Sequence, residues 1–354
     1  MQIVIVSSSI LENVARSGFR TRSGCLTRAL LEHGQVSRIV YVEWHADLLA
    51  RSSTASALAE FPNVSLCACP RLPVPFTRRL GFPPHWPLKL RTRKAVRTIR
   101  RSLKAEEPVV VWCFSPFLHK VSGAIARGLG VSQVFDLTDD MILNPETSEQ
   151  EKKHYDAAYS EVAQTADVVF TNCESLTETM SQRGAQAVTV LNGVNWHRFH
   201  DALDTSRGEP EDIRDIPRPR IGFVGILSRE TDHELLNRVA EEIPEAETIF
   251  VGRWTPTAPQ QPLSTRIHQL GMKSFEEVPR YMAAFDVGLS IYRPSPATKA
   301  GDSMKVYEYL AAGLPVVATS AQKATGRSEH IHFTETPEEF VENVRNVLKG
   351  DLGV

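Results

Sequence analysis

Short runs of β-branched and aromatic residues recur along this chain at intervals long enough to hold a helix, and that alternation leaves few folds open. The runs are Ile3–Ser7, Arg38–Glu43, Val109–Phe114, Val134–Leu137, Asp167–Thr171 and Ala187–Leu191, then Arg220–Gly225, Ala246–Gly252, Val287–Ser290 and Val316–Thr319. Helical patterns lie between them, Asp232–Glu242 and Val278–Phe285 among them. Strands separated by helices pair in parallel, because each helix returns the chain to the end of the sheet where the previous strand began. The expectation is an α/β protein. At 354 residues the chain also exceeds the span of one growing core, so it divides into two doubly wound halves. From Asn192 to Phe199, and on through a polar, Pro-bearing stretch to Pro217, the composition is that of a linker. The expected domains are therefore residues 1–200 and 201–354.

The segment Asp302–Val317 carries the clearest chemistry. Asp302 or Ser303 is expected to cap a helix start, Gly313 to take the left-handed conformation past its end, and Pro315 to stop it before the strand Val316–Thr319. At about 100° per residue, Met304, Lys305 and Glu308 share one side while Val306 and Leu310 lie opposite. Free N–H groups at the helix start and the Lys305 ammonium suit a diphosphate, and Glu308 suits ribose hydroxyls. An ordinary amphipathic helix with both charges solvated has the same pattern.

That segment resembles the donor-binding motif of the GT-B glycosyltransferases, a Glu-bearing helix followed by a small-Gly-x-Pro-Val-Val turn. Three more stretches resemble the same family in the same order: Leu191 to Asn195 with Phe199, Ile221 to Gly225, and Leu270-Gly271 with Val278 to Val287. The resemblance covers about residues 130–320 and implies two Rossmann-like domains with a cleft between them, the first binding an acceptor and the second a nucleotide-sugar donor. It extends to bacterial exopolysaccharide glucuronosyltransferases through Ser303-Met304-Lys305, and to teichuronic-acid-type glycosyltransferases across the second half. It implies transfer from a nucleotide diphosphate sugar, with UDP-sugar the expected donor, no cofactor and no bound metal. A lipid-linked or polysaccharide acceptor in exopolysaccharide or cell-envelope synthesis follows from the same likeness.

Residue by residue, the resemblance implies Arg229 and Lys305 for the diphosphate and Glu308 for the ribose, with Gly225, Ser303 and Met304 in the same donor-binding set. It implies the base for the turn bearing Met272; Tyr292 and Arg293, just after the strand Val287–Ser290, are expected to reach the sugar, the latter well suited to a uronate carboxylate. Many retaining members carry a second Glu eight positions before the ribose-binding one, but that position here is Ala300. Without it, either Asp302 stands in or the enzyme inverts and needs a general base. Asp139 and Asp140, following the strand ending at Leu137, are the candidates, and close carboxylates raise one pKa by mutual repulsion. A helix-capping Asp pair is the plainer explanation of the same residues.

Net charge is only −2, yet residues 76–104 hold ten Lys or Arg and no Asp or Glu. From Leu88 onward, Val96, Ile99 and Leu103 mark one helical face, and basic residues crowd the rest. This segment is expected to meet an anionic membrane surface, placing the protein in the cytoplasm, peripheral on the inner face of the membrane. The alternatives are a solvated helix and a groove for the acceptor's pyrophosphate. Nucleic acid is not expected, since aromatics are not interleaved as stacking platforms. Arg16, Arg20 and Arg22, in the loop after the first strand, are expected on the acceptor side.

Five cysteines with no C-x-x-C pair read as free thiols in a reducing compartment. The opening Met1–Val6 has no secretory pattern, and no run is long enough to cross a bilayer. G-x-G-x-x-G and P-loop patterns are absent. Two other functions fit the same segments: a sugar-nucleotide epimerase on the same fold, and a non-catalytic module that binds nucleotide-sugar.

Overall fold

The computed structural model describes residues 1–16, 21–44, 61–69, 86–145, 147–204, 208–255, 262–322 and 329–351. It divides into two compact units, Met1–Val190 and Leu191–Val354, each considered by itself below. The division falls about ten residues before the expected boundary of 200.

Among the described residues of the first unit seven strands form one sheet: β1 (Gln2–Ser7), β2 (Arg38–Glu43), β3 (Val64–Ala68), β4 (Val109–Cys113), β5 (Ser132–Leu137), β6 (Val168–Thr171) and β7 (Ala187–Thr189). Their spatial order is β3-β2-β1-β4-β5-β6-β7, and every pairing is parallel. In the second unit six strands do the same: β8 (Arg220–Leu227), β9 (Glu247–Trp254), β10 (Ile267–Gly271), β11 (Val287–Ser290), β12 (Val316–Thr319) and β13 (Ile331–Thr334). Their order is β10-β9-β8-β11-β12-β13, again all parallel. Both are doubly wound Rossmann-like sheets in which the strand order reverses once, between β1 and β4 and between β8 and β11.

Crossover helices cover both faces of such a sheet, so its strands are buried on both sides and read as apolar runs. Alternate residues of one strand accordingly serve two cores. In β1, Val4 and Val6 face the cluster holding Ile99, Val121 and Ile125, while Ile3 and Ile5 face Leu11, Ile39 and Tyr41. In β8, Ile221 and Phe223 pack with Leu236 and Val239, whereas Val224 joins Tyr281, Val306 and Tyr309.

Strands β3, β10 and β13 were not anticipated, and all three lie at or beside a sheet edge, with polar residues alternating into them. An edge strand is less enclosed, so its sequence loses the continuous apolar signature. The linker reading of 192–217 also needs correction. This stretch forms helices Trp196–His200 and Glu211–Arg214, and Phe199 and Ile213 are buried in the second unit's core. The buried Arg220 ties it down, donating to Ile216 O at 2.8 Å and Glu209 Oε1 at 2.9 Å.

Strand β8 pairs with β11 only through Ile221 and Gly222, then runs on to Leu227 beside β9 alone. Beyond Gly222 its N–H groups lose their ladder partners on that side. The Tyr309 hydroxyl, fully buried, accepts from Val224 N at 2.8 Å and replaces the missing strand. Tyr309→Phe is therefore expected to leave that amide unsatisfied and lower unfolding free energy by about 1–3 kcal/mol, measured by urea titration.

Candidate functional site

In the second unit the strands part where the sheet order reverses, at the position where open α/β sheets receive ligands. The helix Met304–Ala311 stands beside this opening. It ends as the sequence predicts: Gly313 has φ +70°, Gly313 N donates to Leu310 O and Leu314 N to Tyr309 O, both at 3.0 Å. Its start differs from expectation. Ser303 holds the N-cap position without capping through its side chain. Asp302 instead accepts Asn192 N at 2.7 Å and the Tyr307 hydroxyl at 2.9 Å, while the Asn192 amide donates to Asp302 O at 2.7 Å. The Asn-Gly turn and the Lys-Glu helix, far apart in sequence, are thus clasped together.

The Lys305 ammonium lies 4.8 Å from the centre of the Phe223 ring and 4.9 Å from that of Tyr292. Among the described residues no carboxylate comes within ion-pair distance of it. A side chain at Gly225 would obstruct it, since a Cβ there would sit 2.7 Å from Nζ. Two ring faces thus hold the charge in place without neutralising it. Three residues on, Glu308 shares that helix face. Burial pushes its carboxyl up to about 7, with the charges of Lys305 and Arg198 pulling the other way. Arg198 was not singled out from the sequence. It packs over the Phe275 ring at 4.2 Å and donates to Glu276 at 3.3 Å. Only the folded chain brings its charge to Glu308.

Gly225, Tyr292, Lys305 and Glu308 are thereby assembled, with Ser303 and Met304 at the helix start. Arg229 follows β8 as an exposed side chain with no partner among the described residues. Arg293 is differently placed from the expectation of a side chain reaching a sugar. Its guanidinium lies 3.8 Å from both Asp232 and Glu234, so protein carboxylates already neighbour it. Met272, 54 % exposed, sits on the turn after edge strand β10, with β9 between it and β8. Beside it Lys273 pairs with Asp212 and covers the Tyr281 ring at 5.1 Å.

In the first unit the two acidic candidates part ways. Asp139 is exposed, with φ +57°, a conformation costly for a residue with a side chain. Asn172 and Tyr159 hold it there: Asp139 N donates to Asn172 Oδ1 at 3.3 Å, and the Tyr159 hydroxyl donates to Asp139 O at 3.3 Å. Asp140 is buried and accepts from Ile142 N at 3.0 Å, capping its own turn. Burial, opposed by the Ile142 and Leu143 amides and by Arg183, raises its pKa. The expected rise through repulsion between neighbouring carboxylates is therefore replaced by desolvation.

A third acid was missed. Asp136, on β5, is buried against Arg22, whose Nε and Nη2 donate to its two oxygens at 2.8 and 3.2 Å. Burial pushes this carboxyl up and the guanidinium pulls against it. Arg22 therefore braces the helix Arg22–Glu32 against β5; Arg20 lies outside the described residues, as do residues 76–85 of the basic segment. Among the described residues no cluster of three metal-binding side chains occurs, and no helix is long and apolar enough to cross a membrane.

Comparison with known proteins agrees with this architecture. A glycosyl transferase 4-like domain model matches residues 17–193, and a glycosyl transferases group 1 model matches 218–350. The chain belongs to this glycosyltransferase family and has the GT-B fold. A curated relative, the Bacillus subtilis (strain 168) protein TuaH, provisionally named a teichuronic acid biosynthesis glycosyltransferase, is 28% identical over 188 residues. That alignment covers 49% of this chain and 45% of TuaH, so the chain spans about half the length of the curated relative it matches. Among solved structures, Anabaena HepE in complex with UDP superposes with a TM-score of 0.64 at 16% identity, covering 99% of this chain and 91% of HepE. A UDP-forming trehalose-phosphate synthase from Burkholderia vietnamiensis gives 0.65 at 14% identity, covering 99% and 90% of the two chains.

Removing one member of a buried ion pair strands the other. Asp136→Ala is expected to destabilise the first unit by about 3–5 kcal/mol, seen as an earlier urea transition.

Proposed function

We propose that this protein transfers a sugar from a UDP-sugar to a lipid-linked or polysaccharide acceptor during bacterial exopolysaccharide or cell-envelope synthesis. The observation that carries this reading is the unneutralised Lys305 ammonium beside the half-buried Glu308, on the helix at the strand-order reversal. Lys305 and Arg229 take the diphosphate, whose negative charge grows as the sugar departs. They supply positive charge that a metal would otherwise bring, and no cofactor beyond the donor is needed. Glu308 accepts hydrogen bonds from the ribose hydroxyls. Met272 and the backbone around it meet the base, and Tyr292 borders the sugar. The two carboxylates beside Arg293 make it a secondary candidate for a uronate.

The acceptor hydroxyl attacks the anomeric carbon, the bond to the diphosphate breaks, and its electron pair leaves with UDP. Asp139, exposed and held by Asn172, receives the hydroxyl proton; Asp140 secures the turn that presents it. The protein works on the cytoplasmic side, peripheral to the membrane, with residues 76–104 against anionic lipid. HepE, solved with UDP, and the UDP-forming synthase support the choice of nucleotide.

Lys305→Ala and Glu308→Ala are each expected to weaken UDP binding by about 1.5–3 kcal/mol in calorimetric titration, the loss of a charge-assisted hydrogen bond. Unchanged affinity in both overturns the donor site.

The pH dependence has a definite sign. The hydroxyls need the carboxylate form, and Glu308 titrates near 7 in the free protein, so UDP should bind about tenfold tighter at pH 8 than at pH 6 through this group. Glu308→Gln should remove that component, leaving only the titration of UDP itself.

Asp139→Asn should reduce turnover at least about 100-fold while UDP affinity stays constant. Full turnover excludes Asp139 as the base.

A further inference from the structure

Seven cations of the first unit face one another without a counter-charge. The helix Trp86–Ser102 contributes Lys89, Arg93, Arg97, Arg100 and Arg101 to a groove of about 860 Å³, and the neighbouring helix His119–Leu129 contributes Lys120 and Arg127. None of the seven has a carboxylate within ion-pair distance among the described residues. Several cations elsewhere on the surface are paired instead: Arg28 with Glu32, Lys152 with Glu149, Arg183 with Asp156 and Arg238 with Glu242. In a chain whose net charge is −2, unpaired like charges gathered along one groove are an unfavourable arrangement that an anionic ligand relieves.

The groove has a closed floor. At Gly128 the two helices come so close that a Cβ would lie 2.8 Å from Val96 Cγ2, and Arg100 donates to Gly128 O across the gap. From Lys89 to Arg101 the cations extend about 18 Å along the helix, room for more than one phosphate. Among the described residues the lining holds Leu88, Thr92, Val96, Ala124 and Gly128 besides the cations, and no aromatic on which a base could stack. Leu90 is 47% exposed and, at 100° per residue, falls between Arg97 and Arg101 around the helix axis. An exposed leucine among cations suits the boundary between headgroups and acyl chains.

We propose that this groove seats the phosphate headgroups of anionic phospholipids, with Lys120 and Arg127 as its second wall. The inference rests on the membrane reading of residues 76–104 and turns a diffuse basic helix into a two-helix headgroup site. Flotation with phosphatidylglycerol-containing vesicles tests it, against vesicles of phosphatidylcholine alone. For the double variant Lys120→Gln/Arg127→Gln the partition coefficient should fall about 25-fold, at about fivefold per charge near the surface. The control Arg28→Gln/Lys152→Gln should partition like the wild type, and UDP binding by calorimetry should be the same in all three proteins.

No binding of wild type to anionic vesicles overturns the membrane reading and the groove with it. Binding that survives loss of Lys120 and Arg127, or that falls equally in the control, overturns the groove alone. Complete displacement by millimolar glycerol 1-phosphate assigns it to a soluble phosphate and overturns the lipid assignment. Tighter binding of duplex DNA than of anionic vesicles at equal salt overturns it in favour of nucleic acid.

Discussion

A parallel sheet must be covered on both faces, and nearly everything else in this protein follows from that requirement. Because the strands are enclosed by helices on either side, polar chemistry has to come from strand ends and from helices standing at them. In the second unit, β8 leaves β11 after Gly222, and the backbone this exposes is satisfied by a side chain, the Tyr309 hydroxyl on Val224 N. The same helix carries Lys305 and Glu308 on another face. One element thus seals the sheet where it opens and supplies charges to the opening.

Charge is deployed in two ways. At several places on the surface, cations and carboxylates pair at short range, which contributes little to stability. At Lys305, Arg229 and the groove between Trp86–Ser102 and His119–Leu129, no carboxylate comes within ion-pair distance of the positive charge among the described residues. Glu308 has the converse cost, a carboxyl raised to about 7 by burial. An apo protein that keeps such groups bears an electrostatic penalty, and the ligand that relieves it gains binding energy at the same place. The buried Arg22–Asp136 pair belongs to neither group. Its charges are already matched, so it braces the structure.

How much was legible depended on the range of the interaction. The alternation of strands and helices, the left-handed Gly313 and the common face of Lys305 and Glu308 arise from neighbours a few residues apart, so periodicity and turn chemistry expose them. Edge strands β3, β10 and β13 were obscured because incomplete enclosure lets polar residues in. The stretch from 192 to 217 looked like a linker because Phe199 and Ile213 are isolated apolar residues in polar surroundings, and only packing reveals that both are buried.

The sequence by itself determined an α/β chain with two doubly wound halves and a helix bearing a cation and a carboxylate before a buried strand. Tertiary structure alone decided what the charges meet. It turned Asp302 from a helix cap into the clasp on Asn192, brought Arg198 to Glu308, and surrounded Arg293 with carboxylates. It also buried Asp140 while leaving Asp139 exposed, and set Lys120 and Arg127 opposite the basic helix. Each of these depends on contacts between residues distant in sequence, and on burial, which raises or lowers the energy of a charge by amounts that local patterning does not carry.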